Sequence, residues 1–470
     1  MALTNDQQHA YNELIQFINA PYNRNDYKRA LIGAGGVGKT YLIRTLILNS
    51  NMSYSRIGLA TPTHKASRVL TQAINIDGLK ANTLASDLGL RLNFDLDNFD
   101  INNPPFDPRG RIKVGDYDLY IVDEASMINS GLFKLLEQEV KQHNVKLLYI
   151  GDDKQLPPPK EKVSLALKGC KSYTLKQIVR QDEDNPVLEL CDILRHDIEN
   201  KTRNFLQYIY ENKSKFNEDM TKGFLVCNPM TFAQQITINF SKEELLKNVD
   251  FAKVISYRNI NVSGWNKLIR NHINGDAKTV VSKDDLFLSG VSLVDKFNSL
   301  IIINSEDYIV YQVVDYTHPV YNLQGFYVKF QAVWGGKITQ PLFVINHNNP
   351  ETLQNYIKIL NDKLNAAKNS YGSRKAQLWK EFYAFKDSCL LLTNLVDSND
   401  KIIHKADIDY GFAVTANKAQ GSTYENVFLD VNDIVYNKYG NFRDNLDEVN
   451  RRLYVGVSRC RKKLFLNFGE

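Results

Sequence analysis

What the chain lacks narrows its class before any motif is read. No apolar run approaches membrane-spanning length, and the first residues hold no apolar segment of the signal-peptide kind. A cytoplasmic protein with no membrane partner is therefore expected. Five cysteines, Cys170, Cys191, Cys227, Cys389 and Cys460, stand far apart with no Cys-x-x-Cys spacing, which argues for reduced thiols rather than a disulfide framework. A large charge excess is also missing. The formal net charge is +5 over 470 residues, which permits a nucleic-acid partner without arguing for one. Internal repeats and long low-complexity tracts are absent. What remains is an ordinary 43% hydrophobic content and a length that suits about two to four domains.

The strongest positive signal is Gly33-Ala34-Gly35-Gly36-Val37-Gly38-Lys39-Thr40. It follows an expected strand ending near Ile32 and precedes an expected helix from Tyr41. Strand, glycine-rich turn and helix form the setting of a phosphate-binding loop. Glycines let backbone N–H groups curl round phosphate oxygens, and the helix N-terminus adds donors. Lys39 is placed to reach β- and γ-phosphates, and Thr40 to bind Mg²⁺. Ahead of the loop, apolar Ala10, Leu14, Phe17 and Ile18 recur at helical spacing, with Thr4 or Asn5 as cap. Gln7 is a candidate reader of the adenine edge, because its amide both donates and accepts.

Four further strand ends repeat the apolar-then-polar design. Ile57–Ala60 leads to Thr61, Pro62, Thr63, His64 and Lys65, donors suited to a phosphate backbone, and Thr83 offers another contact. Asp118–Val122 delivers Asp123 and Glu124, where open α/β sheets place ligand groups. Asp123 suits Mg²⁺, and Glu124 suits orienting an attacking water. Lys146–Ile150 leads to Asp152, a candidate for the metal shell, and Gln155, a candidate γ-phosphate sensor. Ser172–Leu175 leads to Arg180, beside an expected domain edge. Between Leu88 and Asp118 the pattern becomes irregular, as in a small insertion with a hairpin. Phe94, Phe99 and Phe106 either pack inside it or offer a ring to a base.

In the second half, short β-like pieces between 275 and 400 suggest a small β-rich domain with helices at Glu351–Leu364 and Arg374–Phe385. Tyr356, Tyr371, Trp379 and Tyr383 are expected to be packed there. The α/β pattern resumes at Asp409–Thr423 and ends with Arg451–Arg459 and a last strand. Arg459 is a second candidate γ-phosphate arginine.

Gly33 to Thr40, Thr61 to Ala66, Asp123 to Ser126, Gly151 to Pro158, Arg180-Gln181, Ala413 to Thr423 and Tyr454 to Arg459, in this order, resemble the superfamily 1 helicases. The likeness is to the 5′-to-3′ branch, and within it to the Dda group with its RecD and Pif1 relatives. It implies an α/β fold of two RecA-like P-loop motor domains, 1–85 with 119–185 and 186–274 with 401–470. It further implies a pin insertion at 86–118 and an SH3-like accessory domain with a helical extension at 275–400. ATP and Mg²⁺ would lie between the motor domains, with single-stranded DNA across both.

On that resemblance Gln7, Gly33 to Thr40 and Gly421 would contact the nucleotide, with Thr40 and Asp123 on the metal. Lys39, Asp123, Glu124, Gln155, Arg180 and Arg459 would form the hydrolytic shell. Thr61, Pro62, Thr63, His64, Lys65 and Thr83 would touch DNA from the first motor domain. Thr415, Asn417, Lys418 and Ser422 would do so from the second, and Phe94 or Phe99 from the pin. The family often has His where this chain has Asn417, which can still hydrogen-bond. The expected agent is a monomeric motor on single-stranded and forked DNA, alongside replication, recombination or single-strand-binding proteins. A translocase that mainly strips bound proteins is the near alternative. A P-loop small-molecule kinase is the alternative from another class, and Gln420-Gly421 and Arg459 argue against it.

Overall fold

The structure is a computed structural model describing residues 3–92, 106–108, 110–159, 161–177, 184–275, 279–295, 300–396 and 402–469. Its first half is built on six parallel strands in the order Ala81–Thr83, Ile57–Thr61, Leu119–Val122, Lys146–Gly151, Lys28–Gly33 and Lys171–Leu175. The central strands Leu119–Val122 and Lys146–Gly151 are buried along their whole length, which is why they read as unbroken apolar runs. Neighbouring residues point to opposite faces. Leu31, Ile121 and Leu148 join one apolar layer with Leu14 and Ile43, whereas Ala30, Tyr120, Leu147 and Tyr149 join the other with Leu136. Helices therefore cover both faces. The polar turns after four of these strands collect at one end of the sheet.

A second six-stranded sheet runs in the order Ala413–Thr415, Ala252–Ser256, Tyr424–Leu429, Cys460–Asn467, Gly223–Cys227 and Ser214–Phe216. Only the last pairing is antiparallel. Two such sheets fit the tandem RecA-like architecture. Helices Val187–Asn200 and Leu446–Ser458 pack on the second sheet through Leu190, Leu194, Leu453 and Val457.

A third, five-stranded antiparallel sheet orders Leu342–Ile345, Gln324–Ala332, Asp307–Thr317, Leu286–Ser289 and Ile408–Tyr410. The sequence reading ends the β-rich segment at 400 and starts the α/β pattern at Asp409. Instead, Ile408–Tyr410 completes the small sheet, because Tyr410 stacks on Phe287 with ring centroids 5.1 Å apart. The chain enters the large sheet immediately afterwards, at Ala413. Gly411, Phe412 and Ala413 are held across the gap. The Gly411 N–H donates to the Leu286 carbonyl at 2.9 Å, and the buried Lys253 ammonium donates to the Gly411 carbonyl. The Asn266 amide oxygen accepts from the N–H groups of Phe412 and Ala413 at 3.1 and 2.8 Å.

Helices Pro350–Lys368 and Gly372–Ser388 lie against the small sheet through Tyr356, Leu360, Trp379 and Phe385. Tyr371 does not join them. It sits at the tip between the two helices, 86% exposed, so the expectation that it packs is corrected. Tyr356 and Trp379 are fully buried as expected.

In the insertion, Leu90–Leu92 and Phe106–Pro108 form an antiparallel pair. Its root is pinched by two glycines. The Gly110 N–H donates to the Gly89 carbonyl at 2.8 Å, and a Cβ on Gly89, whose φ is +62°, would stand 2.6 Å from the Gly110 oxygen. Phe94 and Phe99 lie outside the described residues. Among the described residues, no helix is long and apolar enough to cross a membrane.

Candidate nucleotide site and nucleic-acid groove

The phosphate loop joins Lys28–Gly33 to helix Lys39–Asn49. Gly36 and Gly38 take φ of +88° and +78°, a left-handed conformation that side chains disfavour. Val37 is buried and anchors the loop in the core. The Lys39 ammonium folds back to donate to the carbonyls of Gly33 and Ala34 at 2.7 and 2.8 Å. Thr40 is half-buried in the first helical turn. The Gln7 amide donates to the Val37 carbonyl at 2.9 Å and accepts from the Thr4 N–H at 3.0 Å, completing a capping box. With 1% exposure it braces the loop from beneath, using one of its two N–H donors and one lone pair of its oxygen.

Asp123 and Glu124 follow the buried strand directly. The Asp123 N–H donates to Ala60, and the Glu124 N–H donates to the Asp123 carboxylate at 2.8 Å. Glu124 sits at φ +54°, a strained conformation for a glutamate that costs about 1–3 kcal/mol and clusters at functional sites. Burial pushes both carboxyls above their usual range. The Lys39 charge opposes this at Asp123, while at Glu124 the Asp123 charge reinforces it against Arg459 and Lys39. Two half-buried carboxyls served mainly by one lysine from their own half make an electron-rich pocket. Their carboxylate oxygens and the Thr40 hydroxyl are all hard donors, the chemistry that suits a Mg²⁺ ion.

Arg459 reaches this pocket from the second sheet, at the end of helix Leu446–Ser458. Its guanidinium is buried and donates to the carbonyls of Ser422 and Val455 at 3.1 and 3.3 Å and to the Ser458 hydroxyl. Arg180 lies outside the described residues. Asp152, expected as support for a metal, is committed elsewhere. It accepts from the Tyr454 hydroxyl at 2.6 Å and from Arg195 at 3.0 Å, both from the second half. Gln155 is buried, and its amide oxygen has no hydrogen-bond partner among the described residues.

The expected nucleic-acid residues divide sharply. Thr63 and Lys65 from the first half meet Asn417, Lys418 and Ser422 from the second around one cavity of about 220 Å³. Pro62 and His64 are half-buried beside Thr63 in the chain, and burial with the Arg68 charge lowers the His64 pKa. Thr63, Thr83 and Thr415 each cap a helical turn through their hydroxyls. Thr61 is corrected. It is fully buried, with its hydroxyl bonded to Thr63 and Ser67, and has no surface to offer DNA. Gly421 takes φ +73°, and a Cβ added there would stand 3.5 Å from the Ala66 Cβ of helix His64–Ile74.

Lys65 is not a free cation. It pairs with Asp307 of the small sheet at 3.0 Å and with Asp250 at 3.4 Å. Burial opposes its charge, but Asp307, Tyr424 and Asp250 outweigh burial and raise its pKa. One turn on, Arg68 pairs with Glu306 and lies 4.9 Å from the centre of the Trp334 ring. Burial alone would raise the Asp307 pKa, yet Lys65 and Lys253 hold it below the usual carboxylate range. A depressed carboxyl stabilises the fold above its unfolded value of about 4 and loses that contribution as pH falls through its lowered folded value. Asp307→Asn is expected to cost about 3 kcal/mol, because it strips Lys65 of its nearer carboxylate and leaves Asp250. Urea denaturation at neutral pH measures this, and the deficit should shrink below pH 4.

Sequence reasoning missed Arg195, Arg451, Glu306 and Asp307. Each acts across the cleft, so no local pattern marks it.

Comparison with known proteins agrees with this layout. A family model described as an AAA domain matches residues 3–209, and one described as a UvrD-like helicase C-terminal domain matches residues 410–467. Together they span more than half of the chain. An uncharacterized protein of Acanthamoeba polyphaga mimivirus is 24% identical, across 97% of this chain and 98% of that one. An uncharacterized protein of Methanocaldococcus jannaschii is 21% identical across 93% of this chain, which spans 36% of that longer relative. The crystal structure of Pif1 helicase from Candida albicans superposes with a TM-score of 0.50 at 16% identity, covering 100% of this chain and 95% of that one, which is a likeness of fold.

Proposed function

The chain has the superfamily 1 DNA helicase fold and the make-up of an ATP-driven helicase motor, and from that premise we propose that it moves 5′ to 3′ along single-stranded DNA and parts duplexes. The observation that carries this reading is the cleft itself. The phosphate loop and Glu124 belong to one sheet, and Arg459, whose charge acts on Glu124, belongs to the other. Hydrolysis in such a site is tied to the relative position of two bodies.

Residues 1–85 with 119–185 and 186–274 with 401–470 act as RecA-like motor domains. Residues 86–118 act as the strand-separating pin, and 275–400 as an SH3-like accessory domain that braces it. The loop amides and Lys39 bind the β- and γ-phosphates of ATP. Bound Mg²⁺, on Thr40 and Asp123, would neutralise charge building on the phosphate oxygens. Glu124 orients water for in-line attack, while Arg459 and Arg180 stabilise charge on the transferring group. Thr63, His64, Thr83, Thr415, Asn417, Lys418 and Ser422 grip the DNA backbone, and Phe94 or Phe99 meets the first separated base. Loss of the γ-phosphate releases the anion that draws the halves together, so each turnover opens the cleft and moves one grip.

ATPase assays with and without single-stranded DNA test the reading. Single-stranded DNA is expected to raise the rate at least about tenfold, and the stimulation should weaken with salt as phosphate contacts are screened. Absence of stimulation would sink the motor proposal. Duplexes with 5′ or 3′ tails test direction, with unwinding expected only from a 5′ tail.

A further inference from the structure

The turn Asp152–Leu156 grows from the first sheet, yet it is held mainly by the second half. Helix Leu446–Ser458 places residues 451, 454 and 458 at i, i+3 and i+7, on one face. From it, Arg451 Nη1 donates to the carbonyls of Asp153 and Gln155 at 2.6 and 3.1 Å. The Tyr454 hydroxyl donates to Asp152 at 2.6 Å and accepts from Arg195 at 2.9 Å, while Arg195 also donates to Asp152 at 3.0 Å. Lys154 pairs with Glu199 at 2.9 Å. The Leu156 carbonyl accepts from the Gln420 amide at 3.1 Å, and its side chain is buried in the second half's core. Every residue of the turn thus has a tie across the cleft.

These ties differ in what they fix. Asp152 is 1% exposed, and a carboxylate so buried needs its cationic partner. Arg451, whose Nε donates to Asp447 of its own helix at 2.8 Å, touches the turn only at backbone carbonyls, so it sets the path of the turn without depending on the turn's side chains. The second carbonyl it holds, just before Leu156, belongs to Gln155, whose buried amide oxygen has no partner among the described residues. The helix that carries Arg451 and Tyr454 also carries Arg459 at its end.

We propose that Arg451, Arg195 and Tyr454 are positioning residues that hold Gln155 in register with Arg459, so that the γ-phosphate sensor of the first half moves with the arginine of the second. This rests on the reading that Gln155 and Arg459 face the γ-phosphate. Arg451→Ala would let the turn relax by a fraction of an ångström or more, a displacement that can cost on the order of 100-fold in rate.

The test is ATP hydrolysis by Arg451→Ala, Arg451→Lys and Tyr454→Phe, with and without single-stranded DNA, beside the Kd of a fluorescent ATP analogue and the Tm. For R451A, kcat is expected to fall about 10- to 100-fold, with KM and Kd changed less than about threefold. R451K should recover most of the rate, because an ammonium can still donate to two carbonyls. Y454F should lose roughly tenfold in kcat, since Asp152 keeps Arg195 but not the hydroxyl. Unaltered kcat in R451A overturns the proposal. So does a pattern in which R451A and R451K lose kcat, KM, Kd and Tm alike, which marks a simple prop. If the unaltered chain gains no rate from DNA, the motor reading fails separately, and the DNA-free kcat of the same variants still decides the role of Arg451.

Discussion

Glu124→Gln is expected to hydrolyse ATP about 1000-fold more slowly than the unaltered chain while binding ATP within about threefold of its affinity. That factor corresponds to about 4 kcal/mol of barrier. The substitution is nearly isosteric, so the left-handed backbone at φ +54° is kept and the fold is undisturbed. What changes is the water's partner. An amide keeps a hydrogen-bonding oxygen but has neither the carboxylate's charge nor its basicity. Burial and the neighbouring Asp123 both disfavour the Glu124 charge, while Arg459 and Lys39 oppose them. Glutamine also removes one of two crowded, half-buried negative charges, which is the reason nucleotide binding should survive. Single-turnover hydrolysis, paired with equilibrium binding of a fluorescent ATP analogue, separates the two steps. Turnover within tenfold of normal would remove Glu124 from its assigned role.

Arg459→Ala is expected to lower kcat by about 1000-fold or more, the range seen when an arginine is withdrawn from a transferring phosphoryl group. KM for ATP should move much less, because the loop amides and Lys39 still hold the phosphates. The guanidinium also supports the Ser422 and Val455 carbonyls, so loss of structure has to be separated from loss of charge stabilisation. Arg459→Lys does this. It restores a positive charge but not a planar fork, and should recover only a small part of the rate. Thermal melts alongside the kinetics complete the comparison. A lysine variant with full activity would show that a point charge suffices and that the fork geometry is irrelevant.

The parts of the site written in contiguous residues were legible in the sequence. The phosphate loop, Asp123-Glu124 and the turn after Gly151 each combine a buried strand with a polar sequel, and both halves of that signal lie within ten residues. The Thr4 cap was legible for the same reason. Residues whose partner lies far along the chain were not. The brace that Gln7 makes from Thr4 to Val37 was not, because Val37 lies 30 positions on. Lys65 looked like a phosphate contact until Asp307, 242 positions away, claimed its charge. Thr61 failed through burial, which a single polar residue at a strand end does not announce. Tyr371 failed the other way, since an aromatic at a helix–helix tip has nothing opposite it. The strand Ile408–Tyr410 went unread, and the α/β pattern was started at Asp409, because three residues carry no periodicity of their own.

That short strand has a mechanical consequence. Between Tyr410 in the small sheet and Ala413 in the large one lie two residues, about 7 Å of chain, and the stretch is clamped by Leu286, Lys253 and Asn266. A connection so short and so thoroughly bonded is no swivel. A torque on the small sheet reaches Thr415 without slack and turns Asn417–Ser422 with it. On the proposed function, the small sheet is therefore geared to the large one like a crank on its shaft, and a load met at a fork would arrive at the cleft as a change of angle.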